Sequence, residues 1–229
     1  MMLFVCSVAV TGFSAFVFGR EYPAATFARQ DPGDMIARLS QSPKEGPLAL
    51  PLTWTGQKEL LLACIRVQAS LLMALQPSDV KNDVLQACDN VAGRVTRGTR
   101  GTPTFAMGYL VQAQTAAGLH DDAASNAAVT RGQAFAPSEG WQALRRVDLG
   151  LQRLDRLDPA ARHALDQDLS FLMATGFGSA AIAQHYVANP DHRAFIEAKI
   201  VALPNDALKR FLSDLKQAAK PVQPVAGNP

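Results

Sequence analysis

From residue 3 to residue 19 the chain reads LFVCSVAVTGFSAFVFG, without a charge, and Arg20 and Glu21 close the run abruptly. Such a stretch can only be a membrane segment, a signal or a wholly buried helix. As a helix at about 1.5 Å per residue it extends about 26 Å, close to the ~30 Å hydrocarbon core of a bilayer. A core helix of that length normally carries a polar stripe. Here Ser7, Thr11 and Ser14 are all there is. A cleaved signal is the competing reading, but no Lys or Arg precedes the run and the residues after it offer a poor cleavage site. The expectation is a single transmembrane anchor over residues 1–19. Arg20 and Arg29 follow the run, so the charge asymmetry leans weakly against export of what comes next.

The cysteines bear on the compartment. Cys6 lies in the apolar run, which leaves Cys64 and Cys88. Residues 57–75 read as one helix, with Thr55 as its cap and Leu60, Leu61, Cys64, Ile65, Leu71, Leu72 and Leu75 apolar. Residues 79–95 read as a second, with Val80, Val84, Cys88, Val91 and Val95 on one stripe. Pro77 and Ser78 make the turn between them. The two cysteines then come level across the hairpin, where a disulfide can form if their Cα atoms lie within about 7 Å. Two buried free thiols are the other reading. A bond would close a loop of about 25 residues, stabilise the fold by about 3 kcal/mol, and indicate an oxidising compartment such as the periplasm.

The rest of the chain predicts helices in pairs. Residues 20–52 hold Pro23, Pro32, Pro43, Pro47 and Pro51 and read as an extended stalk with at most a short helix near 34–39. Residues 53–218 read as a helical domain and 219–229 as a disordered tail. Within the domain, Thr102-Pro103 opens a helix that Gly118 stops, 121–135 is its partner, and Asp158-Pro159 caps and starts a later one. Three shorter helices follow over 179–188, 191–202 and 205–217. No segment alternates with period two over more than a few residues, so a sheet is not expected. A net charge of +2 does not suggest nucleic acid.

The run GYLVQAQTAAGLHDDAASNAAVTRGQAFAPSEGW, with Gly108 and Tyr109 on one helix, Gly118 at the turn, Ala123 and Ala124 on the next helix, then Pro137 and Trp141, resembles a degenerate tetratricopeptide unit. The Pro-to-Trp spacing is shorter than in that family, and the other pairs do not repeat the pattern. The APSEGW phrase and the Arg-rich helix after it resemble helical-repeat accessory proteins of bacterial envelope polysaccharide systems. The resemblance implies stacked antiparallel helical hairpins, a repeat-like α-solenoid, that bind other proteins.

Catalytic patterns are weak. His120, His163, His185 and His192 have no metal-ligand partner at helical spacing, and Asp121-Asp122 beside His120 is what a helix start favours. A glycan-processing enzyme would need a buried acid; Glu59 and Glu139 fall in predicted first turns instead. No motif calls for a cofactor or metal. Two arginine sets could bind: Arg97 and Arg100, with Arg94, at the end of the second helix, and Arg145 and Arg146, with Arg153 and Arg156, on a later one. Helix-terminal and i,i+3 or i,i+4 partners make solvated faces the simpler reading. If either set is functional, an acidic glycan or an acidic protein surface would be its partner. The sequence as a whole describes an all-α, single-pass protein of the bacterial inner membrane with its domain in the periplasm. Its partners would be the bilayer through residues 1–19 and another envelope protein, acting as a scaffold or adaptor; a periplasmic glycan-processing enzyme is the alternative.

Overall fold

The computed structural model describes residues 2–97 and 105–220, with side chains from Ser14 onward. Among the described residues the secondary structure is helical, with no strand. The chain divides between Phe135 and Ala136 into two compact units. Also among the described residues, no helix is long and apolar enough to cross a membrane. The apolar run forms the first part of α1 (Met2–Phe27), and most of it precedes Ser14.

Unit 1 is built on α3 (Trp54–Gln68) and α5 (Ser78–Arg97). Cys64 and Cys88, both fully buried, are disulfide-bonded across these helices with a Cα–Cα distance of 5.7 Å. Leu60, Leu61 and Val67 of α3 and Val84, Val91 and Val95 of α5 fill the same core. The helix expected over 57–75 breaks instead. Thr53, not Thr55, caps α3, and after Gln68 the Ser70 hydroxyl donates to the Val67 carbonyl and accepts from Met73 N–H, restarting the chain as the single turn α4 (Leu71–Ala74). A local serine bond outcompetes helix continuation here.

The segment 20–52 is not an extended stalk. α1 continues through Pro23 to Phe27, and α2 (Pro32–Glu45) starts on Asp31, whose carboxylate accepts from Gly33 and Asp34 N–H with Pro32 at the first position. Phe27, Met35, Ile36 and Leu39 are buried in the α3–α5 core. Pro32 opens α2, Pro23 and Pro43 lie within the last turns of α1 and α2, and only Pro47 and Pro51 fall in the connector, so the number of prolines misleads. What remains extended is held by side chains. Arg94 Nη1 donates to the Leu48 carbonyl at 2.6 Å and Gln57 Nε2 to the Pro51 carbonyl at 3.2 Å. Glu21 Oε1 accepts from Leu52 and Thr53 N–H at 2.7 and 2.8 Å, and its Oε2 from the Thr53 hydroxyl at 2.8 Å. Gly56 makes this possible, since a Cβ there would collide with Glu21 and lie 2.6 Å from Pro51 Cβ.

α6 (Ala106–Gly118) packs on α5 and on α7 (Asp122–Phe135). Glycine sets the first contact. Thr96 commits its hydroxyl to the Ala92 carbonyl, and its methyl lies 2.6 Å from where a Cβ of residue 108 would stand. The expected opening of α6 at Thr102-Pro103, like Arg100, lies outside the described residues. Its end differs from expectation in detail. Gly118 is the last helical residue and faces Leu85, whose Cδ1 would lie 2.8 Å from a Cβ there. The left-handed position falls two residues later on His120, with φ of 62°. His120 N–H donates to Ala117 O and Asp121 N–H to Ala116 O, a Schellman closure that usually uses glycine.

Unit 2 consists of α8 (Gly140–Gln152), α9 (Pro159–Ala174), α10 (Gly176–Ala188), α11 (Arg193–Ile200) and α12 (Asn205–Ala218). Asp158 caps α9 through Ala161 N–H at 2.8 Å with Pro159 in first place, as expected. The core joins Val147 and Leu151 of α8, Leu165, Leu169 and Leu172 of α9, Ile182 of α10, Ile196 of α11 and Phe211 of α12.

His120→Gly is expected to stabilise unit 1 by up to about 1 kcal/mol. Relief of a left-handed non-glycine residue, about 1–2 kcal/mol, exceeds the added freedom of the unfolded chain, about 0.4–1 kcal/mol. A urea midpoint raised at unchanged slope is the readout.

Candidate functional site

The first arginine set lies at the C-terminal end of α5. Residues 86–97 of this helix repeat polar and small side chains on one face, and together with Leu119 they line an open groove of about 470 Å³. Arg97 is exposed, with its guanidinium folded back over Gly93: a Cβ at that position would lie 2.6 Å from Nη2. Arg94 stands beside it but is spent on the Leu48 carbonyl. Gln86 and Asn90 add amides, and Asp89 brings a carboxylate whose Oδ1 accepts from the Thr115 hydroxyl at 3.4 Å. The groove can therefore bind polar groups, with Arg97 supplying an exposed positive charge and Asp89 offsetting it.

The second set does not form a face. Arg145 is exposed on α8, whereas Arg146 is 1 % exposed and belongs to the interior of unit 2. Its Nε and Nη2 meet the two carboxylate oxygens of Asp168, on α9, at 2.6 and 2.8 Å, and Nη2 also donates to the Ala136 carbonyl at 3.1 Å. Burial pushes the Asp168 carboxyl above its ordinary value, and the paired guanidinium pulls it back down. Arg146 is thus a structural clamp between α8 and α9, not a ligand-binding residue. Of the expected helical pairs, Arg145 with Asp148 arises on α8, where the guanidinium favours the carboxylate, whereas α8 ends at Gln152 and Asp155 and Arg156 sit in a short 3-10 turn. The signal for Arg146 was its place in the stripe of Ala143, Val147 and Leu151, which are all buried.

Two of the histidines converge. His185 near the end of α10 and His192 in the turn before α11 stack with ring centroids 5.0 Å apart and share a 2.8 Å contact from Nε2 to Nδ1. Burial lowers the His185 pKa below its ordinary 6.5, as does charge on His192, while Asp148 of α8 opposes both. Asp148 is itself raised by burial, with His185 and Arg145 pulling the other way. Burial and the neighbouring ring thus both disfavour a charged His185. Spacing of seven across an Asn-Pro turn gave no helical signal for it. His163 instead faces Gln167 on the surface of α9. Among the described residues no group of three or more His, Cys, Asp or Glu could hold a metal ion.

No family model matches this chain, and neither a curated protein nor a solved structure matches it.

Arg146→Met should destabilise unit 2 by about 3–5 kcal/mol, because Asp168 is left buried and charged without its partner. The double replacement Arg146→Met with Asp168→Leu should recover most of that loss in the same denaturation experiment, as buried pairs replaced together by apolar groups commonly do.

Proposed function

We propose that the chain is a scaffold of the bacterial inner membrane, anchored through residues 1–19, with both helical units in the periplasm and a protein partner docked on unit 1. The observation that carries the scaffold reading is α4. Leu71 and Leu75 are 83 % and 79 % exposed, and Leu72 stands half-exposed beside them. Burying a leucine is worth about 1.5–3 kcal/mol, so a single turn presenting three of them forgoes a substantial stabilisation unless something else covers it. The turn is not loose. Ser70 caps it, Lys81 Nζ donates to the Ala74 carbonyl at 2.8 Å, and Met73 anchors it in the core.

The buried disulfide supports the periplasmic reading, because such bonds persist in an oxidising environment. The arrangement we propose for the helices is a stack of antiparallel hairpins, supported by the successive packing of α5, α6 and α7 and then of α8, α9 and α10. The tetratricopeptide-like residues Gly108, Tyr109 and Gly118 fall on α6, and Tyr109 stacks on Phe135 of α7 at 5.6 Å. An envelope polysaccharide assembly is the setting that the resemblance of APSEGW suggests, and Arg97 in its groove is the residue placed to meet an acidic glycan or protein. The rival reading, a glycan-processing enzyme, would rest on Asp148 as the acid with a raised pKa.

Leu71→Asp with Leu75→Asp tests the reading in native membranes. The wild-type protein should migrate in a complex larger than itself on native gels, and the double variant should run alone while keeping its helical circular dichroism. Identical migration of the two would contradict docking on α4. Loss of polysaccharide turnover in Asp148→Asn, with the complex intact, would favour the enzyme.

A further inference from the structure

Unit 1 contains a second, larger cleft of about 610 Å³ where α3, α4, α5 and the end of α6 meet. Its apolar surface comes from Met73, Leu85 and Leu119. Two amides on opposite helices complete it: Gln68 of α3 and Gln114 of α6. Gln68 Nε2 and Gln114 Oε1 are both buried, and neither has a hydrogen-bond partner among the described residues. A buried donor and a buried acceptor left open are costly, and native proteins rarely keep them without a ligand or water to satisfy them. One donor and one acceptor beside an apolar floor complement a secondary amide that carries a small alkyl group.

We propose that this cleft binds an acetamido sugar. The acetamide oxygen would accept from Gln68 Nε2, its N–H would donate to Gln114 Oε1, and its methyl would lie on Met73, Leu85 and Leu119. The rim favours a sugar over a peptide segment. Ser78, Asn82, Lys81 and His120 also line the cleft, with hydroxyl, amide, ammonium and imidazole groups of the kind that hydroxyls on a pyranose ring require. His120 holds its rim position in the left-handed conformation, a strain that glycine would remove, and a residue kept under strain beside a cleft is a candidate for contact with a ligand. The volume is that of a small-ligand site, large enough for a disaccharide. Occupancy of the cleft does not depend on α4 docking a partner, since the two use different faces of the same short turn.

The test is ligand-observed saturation-transfer NMR on the full chain in detergent micelles, with N-acetylglucosamine and its β-1,4 disaccharide as probes. Glucose and cellobiose are the controls without acetamide, and N-acetylalanine methylamide is the peptide control. The acetyl methyl protons should receive the strongest saturation, and the controls should receive little. Gln68→Leu and Gln114→Leu should each weaken binding of the disaccharide about tenfold, the loss of one hydrogen bond to a buried partner. Their thermal midpoints should stay level or rise, because each removes an unsatisfied polar group; a residue with a merely structural role would lower them. Gln114→Glu, which keeps the acceptor, should retain binding. Equal responses to sugars with and without acetamide would overturn the proposal. So would unchanged affinity in both leucine variants, or a stronger response to the peptide amide.

Discussion

Unit 1 is organised around one covalent cross-link. Cys64 and Cys88 join α3 to α5 within the fully buried core; α1, α2 and α6 pack against this pair, and α7 packs in turn on α6. With 24 residues separating the cysteines, the bond removes enough freedom from the unfolded chain to be worth about 3 kcal/mol. That is a large share of the stability typical of a domain this size, about 5–15 kcal/mol. It also relaxes a demand on the core. A hairpin fixed covalently can tolerate the glycines that let helices approach closely, Gly108 against Thr96 and Gly118 against Leu85, although glycine costs about 1 kcal/mol per helical position.

The cross-linked pair in turn fixes how the N-terminal segment joins the body. Glu21 is the second residue after the apolar run, yet its carboxylate takes three hydrogen bonds at the start of α3. Arg66 of α3 reaches back to the Ala28 carbonyl and Arg94 of α5 to that of Leu48. The charged residues that end the apolar run are therefore structural ligands of unit 1 as well as its flanking charges. An anchor over residues 1–19 would be continuous with a helix braced against the folded unit, in place of a flexible tether, so the orientation of α4 and of the Arg97 groove to the bilayer would be restricted. A rigid connection suits a scaffold, for which the direction of presentation matters.

The helical class was legible because periodicity and caps agree over most of the chain. Asp158-Pro159 specified the start of α9, and the apolar stripes put Cys64 and Cys88 on the packing faces of two neighbouring helices, although the first of these ends at Gln68 and not at Leu75. What escaped was decided by competition between local and tertiary terms. Ser70 breaks a helix that the leucine pattern would have continued, which turns Leu71 and Leu75 from expected core into surface. Prolines suggested a stalk, but Asp31 and Pro32 are a helix start and the buried Met35, Ile36 and Leu39 form its apolar stripe. Arg146 looked like one of four surface arginines; only the opposite helix reveals Asp168 as its partner. The pairing of His185 with His192, and of Gln68 with Gln114 in one cleft, depends on chain folding that no local spacing records.

The central claim, an oxidising compartment for the folded units, is tested most directly by trapping cysteines in living cells. Cells would be quenched in acid, the denatured protein alkylated before and after reduction, and the state of each cysteine read by mass spectrometry. The account predicts that Cys64 and Cys88 are protected until reduction and are recovered as one linked peptide pair. Alkylation of both before reduction would place the units in a reducing compartment and contradict a periplasmic scaffold.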